Sequence, residues 1–155
     1  MVNKNLVGRC GLYCGACIIY RAYKDGSQKL KEGIAKDNNC KPEDVKCEGC
    51  QLVLTSGWEN DNIWGRNCVI VKCLEGKKLD FCFQCDNYPD CSKFQKWYGV
   101  FKKYGEDLIN NLKQIKNGQI EEWLKEEEEK WKCKNCGKPI SMVLNKCHWC
   151  GKEID

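Results

Sequence analysis

A chain of 155 residues with 15 cysteines, one histidine and 42% hydrophobic residues can bury one modest core, and part of that hydrophobic fraction is sulfur. The odd cysteine number and the repeated C-x2-C spacing argue against a purely disulfide framework, so metal ligation is the expected use of the thiols. The formal charge of +4 does not itself imply nucleic acid, because each four-thiolate site would add about −2 and three such sites would reverse the sign.

The first nine residues carry no apolar signal segment, and no apolar run approaches a membrane span, so a cytoplasmic protein with reduced thiols and no membrane partner is expected. The first motif is Cys10-Gly11-Leu12-Tyr13-Cys14-Gly15-Ala16-Cys17, three thiols and two glycines in eight residues. The following run, Ile18 to Lys24, reads as a helix leaving this loop, and residues 28–36 make a second short helix through Leu30 and Ile34. Cys40 stands apart from any motif. Cys47-Glu48-Gly49-Cys50 is a metal knuckle with a glycine free to take positive φ.

Residues 51–67 are turn-rich and aromatic, with Trp58 and Trp64, and are expected to form a loop over a site. Cys68 to Cys73 is too short for periodicity to separate a buried strand from a helical turn. Cys82-x2-Cys85-x5-Cys91 returns to dense sulfur. A helix follows it, with Asp90 as expected N-cap and Phe94, Trp97, Tyr98 and Phe101 along it. Two more helical patterns run through Leu108, Leu112 and Ile115 and through Ile120, Trp123 and Leu124, the last ending in a solvated glutamate run.

Cys133-x2-Cys136-x10-Cys147-x2-Cys150 is the most specific motif: two knuckles, each followed by a glycine, place four thiolates around one tetrahedral ion. Residues 138–140 and 142–144 are expected to be short strands of a zinc ribbon, with the ion structural and His148 a surface residue. Rubredoxin-type iron fits the same spacing.

The expected fold class is therefore an α-rich, irregular, cysteine-rich, metal-stabilised domain with a C-terminal β zinc ribbon. The expected division is 1–104 for the cysteine-rich domain, 105–131 for a helical connector packed on it and 132–155 for the ribbon.

With these motifs in order, the chain resembles the cysteine-rich bacterial and archaeal group named domain of unknown function 3795. The resemblance rests on Arg9-Cys10-Gly11-Leu12-Tyr13-Cys14, the later knuckles and Pro89-Asp90-Cys91, and continues through Trp123-Leu124 and Trp131-Lys132-Cys133. It implies metal binding and no particular reaction, and Cys40 has no place in its pattern.

Two metal assignments fit the family part. The C-x3-C-x2-C spacing of Cys10, Cys14 and Cys17 suits a 4Fe-4S cluster, with Cys91 chosen as the distant fourth ligand, while Cys47, Cys50, Cys82 and Cys85 can pair as a zinc site and Cys68 and Cys73 compete for either place. The alternative is zinc throughout. A radical S-adenosylmethionine enzyme shares the three-cysteine spacing but needs a barrel of roughly 200 residues, for which no βα alternation exists. No phosphate-binding loop or nucleophile elbow is present, and no catalytic residue is assigned. An unligated thiol at Cys40, Cys68 or Cys73 is the remaining route to redox catalysis or sensing. The expected roles are protein interaction or electron transfer with a redox partner, with nucleic-acid binding as an alternative.

Overall fold

The computed structural model describes residues 2–58 and 64–155. Its framework is six helices: α1 (Ile18–Lys24), α2 (Gln28–Asp37), α3 (Val69–Lys77), α4 (Ser92–Lys102), α5 (Leu108–Lys116) and α6 (Ile120–Lys130), joined by short 3-10 turns at several cysteine motifs. The ambiguous Cys68–Cys73 run resolves as the start of α3, because Ile70, Val71 and Leu74 bury one helical face. Cys91, and not the expected Asp90, is the N-cap of α4. The expected covering loop at 51–67 is described only in part, since residues 59–63 lie outside the described residues.

One core joins the two ends of the chain. Leu108, Leu112 and Ile115 recur at four- and three-residue spacing along α5 and pack with Tyr13, Ala16 and Tyr20 of the opening segment, Phe94 of α4, Trp123 and Leu124 of α6, and Met142. Trp123 is 1% exposed and meets Tyr13 edge-on at 6.2 Å. A smaller cluster of Ile19, Ala22, Ile34, Ala35, Val45 and Trp58 holds α1 and α2 together. Asp107 caps α5 by accepting from the Asn110 N–H at 3.1 Å, and Ser27 caps α2 by accepting from the Leu30 N–H at 3.4 Å.

The expected C-terminal β zinc ribbon is not formed. Among the described residues there is no strand, only isolated bridges of Lys132 with Pro139 and Lys146 with Glu153 in this region. The physical reason is where the backbone donors go. Residues 138–140 and 142–144 were the expected ladder, but Ile140 N–H donates to the Trp131 carbonyl at 2.9 Å and Met142 N–H to the Ala16 carbonyl at 2.9 Å. Those bonds commit the segment to the end of α6 and to the opening loop, and Ile140, Ser141 and Met142 are buried there. The C-terminal segment is thus two irregular knuckles docked on a helical body. No helix is long and apolar enough to cross a membrane among the described residues.

Candidate metal centre

The two terminal knuckles are built alike. Cys133 N–H donates to Lys138 O at 2.9 Å and Gly137 N–H to Cys133 O at 2.8 Å, while Cys147 N–H donates to Lys152 O at 2.8 Å and Gly151 N–H to Cys147 O at 2.8 Å. Gly137 and Gly151 have φ of 74° and 75°, the left-handed turn that lets each loop fold under its sulfurs at no Cβ cost. Cys133, Cys136, Cys147 and Cys150 bring their Sγ atoms within 4.8 Å of one another, the only such set of three or more ligating groups among the described residues. Two of the edges, Cys133–Cys150 and Cys136–Cys147, are 3.7 Å. Four thiolates at ~2.3 Å from a tetrahedral ion have edges of about 3.8 Å, so these four thiols make a site that can hold a metal ion. The backbone N–H of Lys152, then the Asn135 amide, hold Cys150 down at about 6, while burial pushes Cys147 up to about 11.

His148 is not the surface residue expected between two ligands. Its side chain is 7% exposed and its Nε2 lies 2.7 Å from Asp25 Oδ2, a carboxylate that also sits 3.6 Å from Arg21 Nε on α1. This contact and the Met142–Ala16 backbone bond fasten the terminal knuckles to the helix and loop carrying Cys14 and Cys17.

The opening motif is a tight loop: Val7 and Tyr13 form a bridge, Gly8 N–H donates to Leu12 O at 2.8 Å, and Gly11 has φ of 89°. A Cβ at Gly11 would stand 2.7 Å from the Leu108 carbonyl oxygen, so only glycine lets the loop lie against α5. Asn111 of α5, 4% exposed, donates its Nδ2 to Gly11 O at 2.9 Å and to Glu106 Oε2 at 3.0 Å. The loop that presents Cys10, Cys14 and Cys17 is therefore held by α5 and its polar neighbours.

Around that loop the thiols converge. Cys14 shares a hydrogen bond with Cys50, which also accepts from Arg9 N–H at 3.5 Å. The bond to Cys50, then burial, drives Cys14 well up, whereas Cys50 is drawn down to about 7 by the same bond. Burial pushes Cys47 up to about 12, reinforced by the charge of Cys17. Burial likewise raises Cys10, helped by Cys50, Cys82 and Cys68, and raises Cys17 and Cys68 against the backbone N–H groups at the starts of α1 and α3. Cys17 and Cys68 occupy N-cap positions, at the positive ends of those helices. Buried thiols crowded in this way resist losing their protons singly, and a bound cation that replaces the protons relieves the repulsion.

Cys91, the ligand chosen from sequence as fourth partner of Cys10, Cys14 and Cys17, lies instead with Cys73, Cys82 and Cys85 around one cavity. Cys47 and Cys50 stand beside Cys14 and Cys17. The two groups are neighbours, since Cys82 feels the charge of Cys68 as well as that of Cys91, Cys73 and Cys85. Sequence reasoning missed Lys77, whose Nζ donates to Cys85 Sγ at 3.1 Å. Its position four residues after Cys73 on α3 was the available signal. Nothing in the local spacing foretold the Asp25–His148 contact.

These features define a cysteine-rich helical protein with a four-thiol site able to hold a metal and a second, larger and more widely spaced gathering of thiols in its N-terminal part. The chain belongs to the family described as protein of unknown function (DUF3795), whose model matches residues 6–96. The match takes in every thiol group except the terminal four. No curated protein and no solved structure matches the chain.

Proposed function

We propose that the protein is a two-part metal-thiolate protein of a reducing, cytoplasmic environment. One zinc ion at Cys133, Cys136, Cys147 and Cys150 serves as a structural anchor, and an iron–sulfur cluster in the family domain exchanges electrons with a redox partner. The observation that carries this reading is the contrast in sulfur spacing. The terminal edges of 3.7 Å suit a single tetrahedral ion, whereas no three family-domain thiols fall within 4.8 Å of one another. A wider set of thiolates suits a multi-iron cluster, whose ligands each bind a different iron. Burial of the surrounding thiols against Tyr13, Tyr20 and Leu112 gives a low-dielectric setting, which tunes the potential of such a centre. Zinc at the terminal site would account for folding a segment that lacks a sheet of its own.

The second reading is an all-zinc module for binding a protein or nucleic acid. Trp149 favours it: the ring is 39% exposed, with Lys138 Nζ 4.4 Å from its centroid, a cation and an aromatic surface on one face of the terminal knuckles.

Purification without oxygen separates the two. The redox reading expects a brown protein, bleached by dithionite, with acid-labile sulfide and about one zinc per chain. A colourless protein holding zinc alone would sink the electron-transfer role and leave the binding module.

A further inference from the structure

We infer that Cys73, Cys82, Cys85 and Cys91 form a metal-thiolate centre of their own, an iron–sulfur site separate from the thiols gathered around the opening loop. Three elements supply the ligands: Cys73 comes from the middle of α3, Cys82 and Cys85 from the two ends of one 3-10 turn, and Cys91 from the N-cap of α4. All four line a single cavity of about 20 Å3 walled on its apolar side by Leu74 and Phe94.

Cysteines that merely pack a core fill their space with carbon neighbours and need no counter-charge. Here the sulfurs face a gap, Cys73, Cys85 and Cys91 are each only partly buried, and an ammonium group is placed on one of them, Lys77 Nζ at 3.1 Å from Cys85 Sγ. Lys77 and Cys73 stand four apart on α3, and both line the cavity together with Ile70 and Leu74 of the same helix. A positive donor beside a ligating sulfur is the kind of outer contact that stabilises a thiolate and sets the potential of a cluster. The sulfurs are also spread more widely than one ion requires, since no three of them meet the 4.8 Å spacing of the terminal site. The opening loop keeps Cys10, Cys14, Cys17, Cys47, Cys50 and Cys68 for its own centre, so neither group has to borrow a ligand from the other.

This extends the redox reading above, because both place iron in the family domain, and the two can fail separately. The full-length protein is prepared without oxygen, loaded with ferrous iron and sulfide, and assayed for iron, sulfide and zinc. The double variant Cys73→Ser/Cys91→Ser is expected to lose one cluster, about half the iron and sulfide, while Cys14→Ser/Cys17→Ser loses the other half and zinc stays constant in both. Unchanged iron in Cys73→Ser/Cys91→Ser would overturn the inference alone. Complete loss of iron in that variant, with its helical signal intact, would also overturn it, by showing one cluster drawn from both groups. Failure of the unaltered protein to take up iron would overturn both readings.

Lys77→Met covers the case in which the double variant does not fold, because Lys77 is exposed and outside the core. Removing its positive charge should make one of two reduction potentials more negative and leave the other in place. Two unmoved potentials would contradict a centre at Cys85.

Discussion

The terminal knuckles and the family domain assemble their thiols in opposite ways. At Cys133, Cys136, Cys147 and Cys150 each pair of sulfurs is set by one short turn, and the four meet with 3.7 Å edges before any distant contact is considered. In the family domain the thiols arrive from the opening loop, a knuckle, three helix N-caps, the middle of α3 and a 3-10 turn, so their grouping depends on how α1, α3, α4 and α5 pack. Local turns can build a site for one ion. A tertiary fold is needed to bring the family-domain thiols together from so many elements, so any metal they hold would be sensitive to the helical core.

The comparison is broken most severely at the terminal site. In Cys133→Ser/Cys147→Ser the segment loses two of its four ligands and has no sheet to fall back on. Ligation of a structural zinc contributes about 10 kcal/mol or more, far beyond what the small cluster of Cys133, Ile140 and Cys147 can supply. The expected result is loss of zinc and rapid proteolysis after α6, with the metal of the family domain retained. Unchanged zinc content and melting temperature would show that the four sulfurs are not the ligands.

A smaller effect is expected where the two regions touch. Asp25 stands between Arg21 and His148, with side-chain exposures of 7% for Asp25 and His148 and 9% for Arg21. Asp25→Ala leaves two buried cationic or polar groups without their acceptor, a change that typically costs about 3–5 kcal/mol. Urea unfolding should register that loss, and the terminal segment should exchange its amide hydrogens faster while zinc stays bound. If exchange rises equally over α2 and α5, the contact stabilises the whole body and is not a latch between the regions.

Much of the fold could be read from residue order. The stripes at Ile34, at Phe94, at Leu108–Leu112–Ile115 and at Trp123–Leu124 give the helices, because a 3.6-residue repeat is a local property. The terminal ligand set was legible for the same reason. What spacing could not carry was partnership over long sequence separations. Cys91 lies six residues after Cys85, much as Cys17 lies seven after Cys10, but only the packing of α3 against α4 brings Cys73 to the same cavity. The ribbon misled because C-x2-C pairs fix sulfurs without requiring strands, and the segment's free donors found Trp131 and Ala16. His148 was read as exposed because nothing near it in sequence names Asp25 as its partner.

The mildest test concerns the polar buttress beneath the opening loop. Glu106, 0% exposed, accepts from Trp131 Nε1 at 2.7 Å, Lys130 Nζ at 3.0 Å and Asn111 Nδ2 at 3.0 Å, and Asn111 in turn holds Gly11. Glu127 shares this pocket. Burial first, then its hydrogen bond with Glu106 and that group's charge, push Glu127 from the ordinary carboxylate range up to about 8. The folded protein therefore holds a proton that the unfolded chain releases near pH 4.5, so this contribution is complete below about pH 4.5 and is lost as pH rises through about 8. Glu127→Gln keeps the shape and the donor but cannot ionise. Its unfolding midpoint in urea should decline less than that of the unaltered protein between about pH 6 and pH 9. The zinc and iron contents should be identical in the two proteins, which separates this effect from the titration of thiols. Parallel slopes would mean that Glu127 is already ionised in the fold. The path from α6 through Glu106 and Asn111 to Gly11 would then rest on Glu106 alone, accepting from three donors.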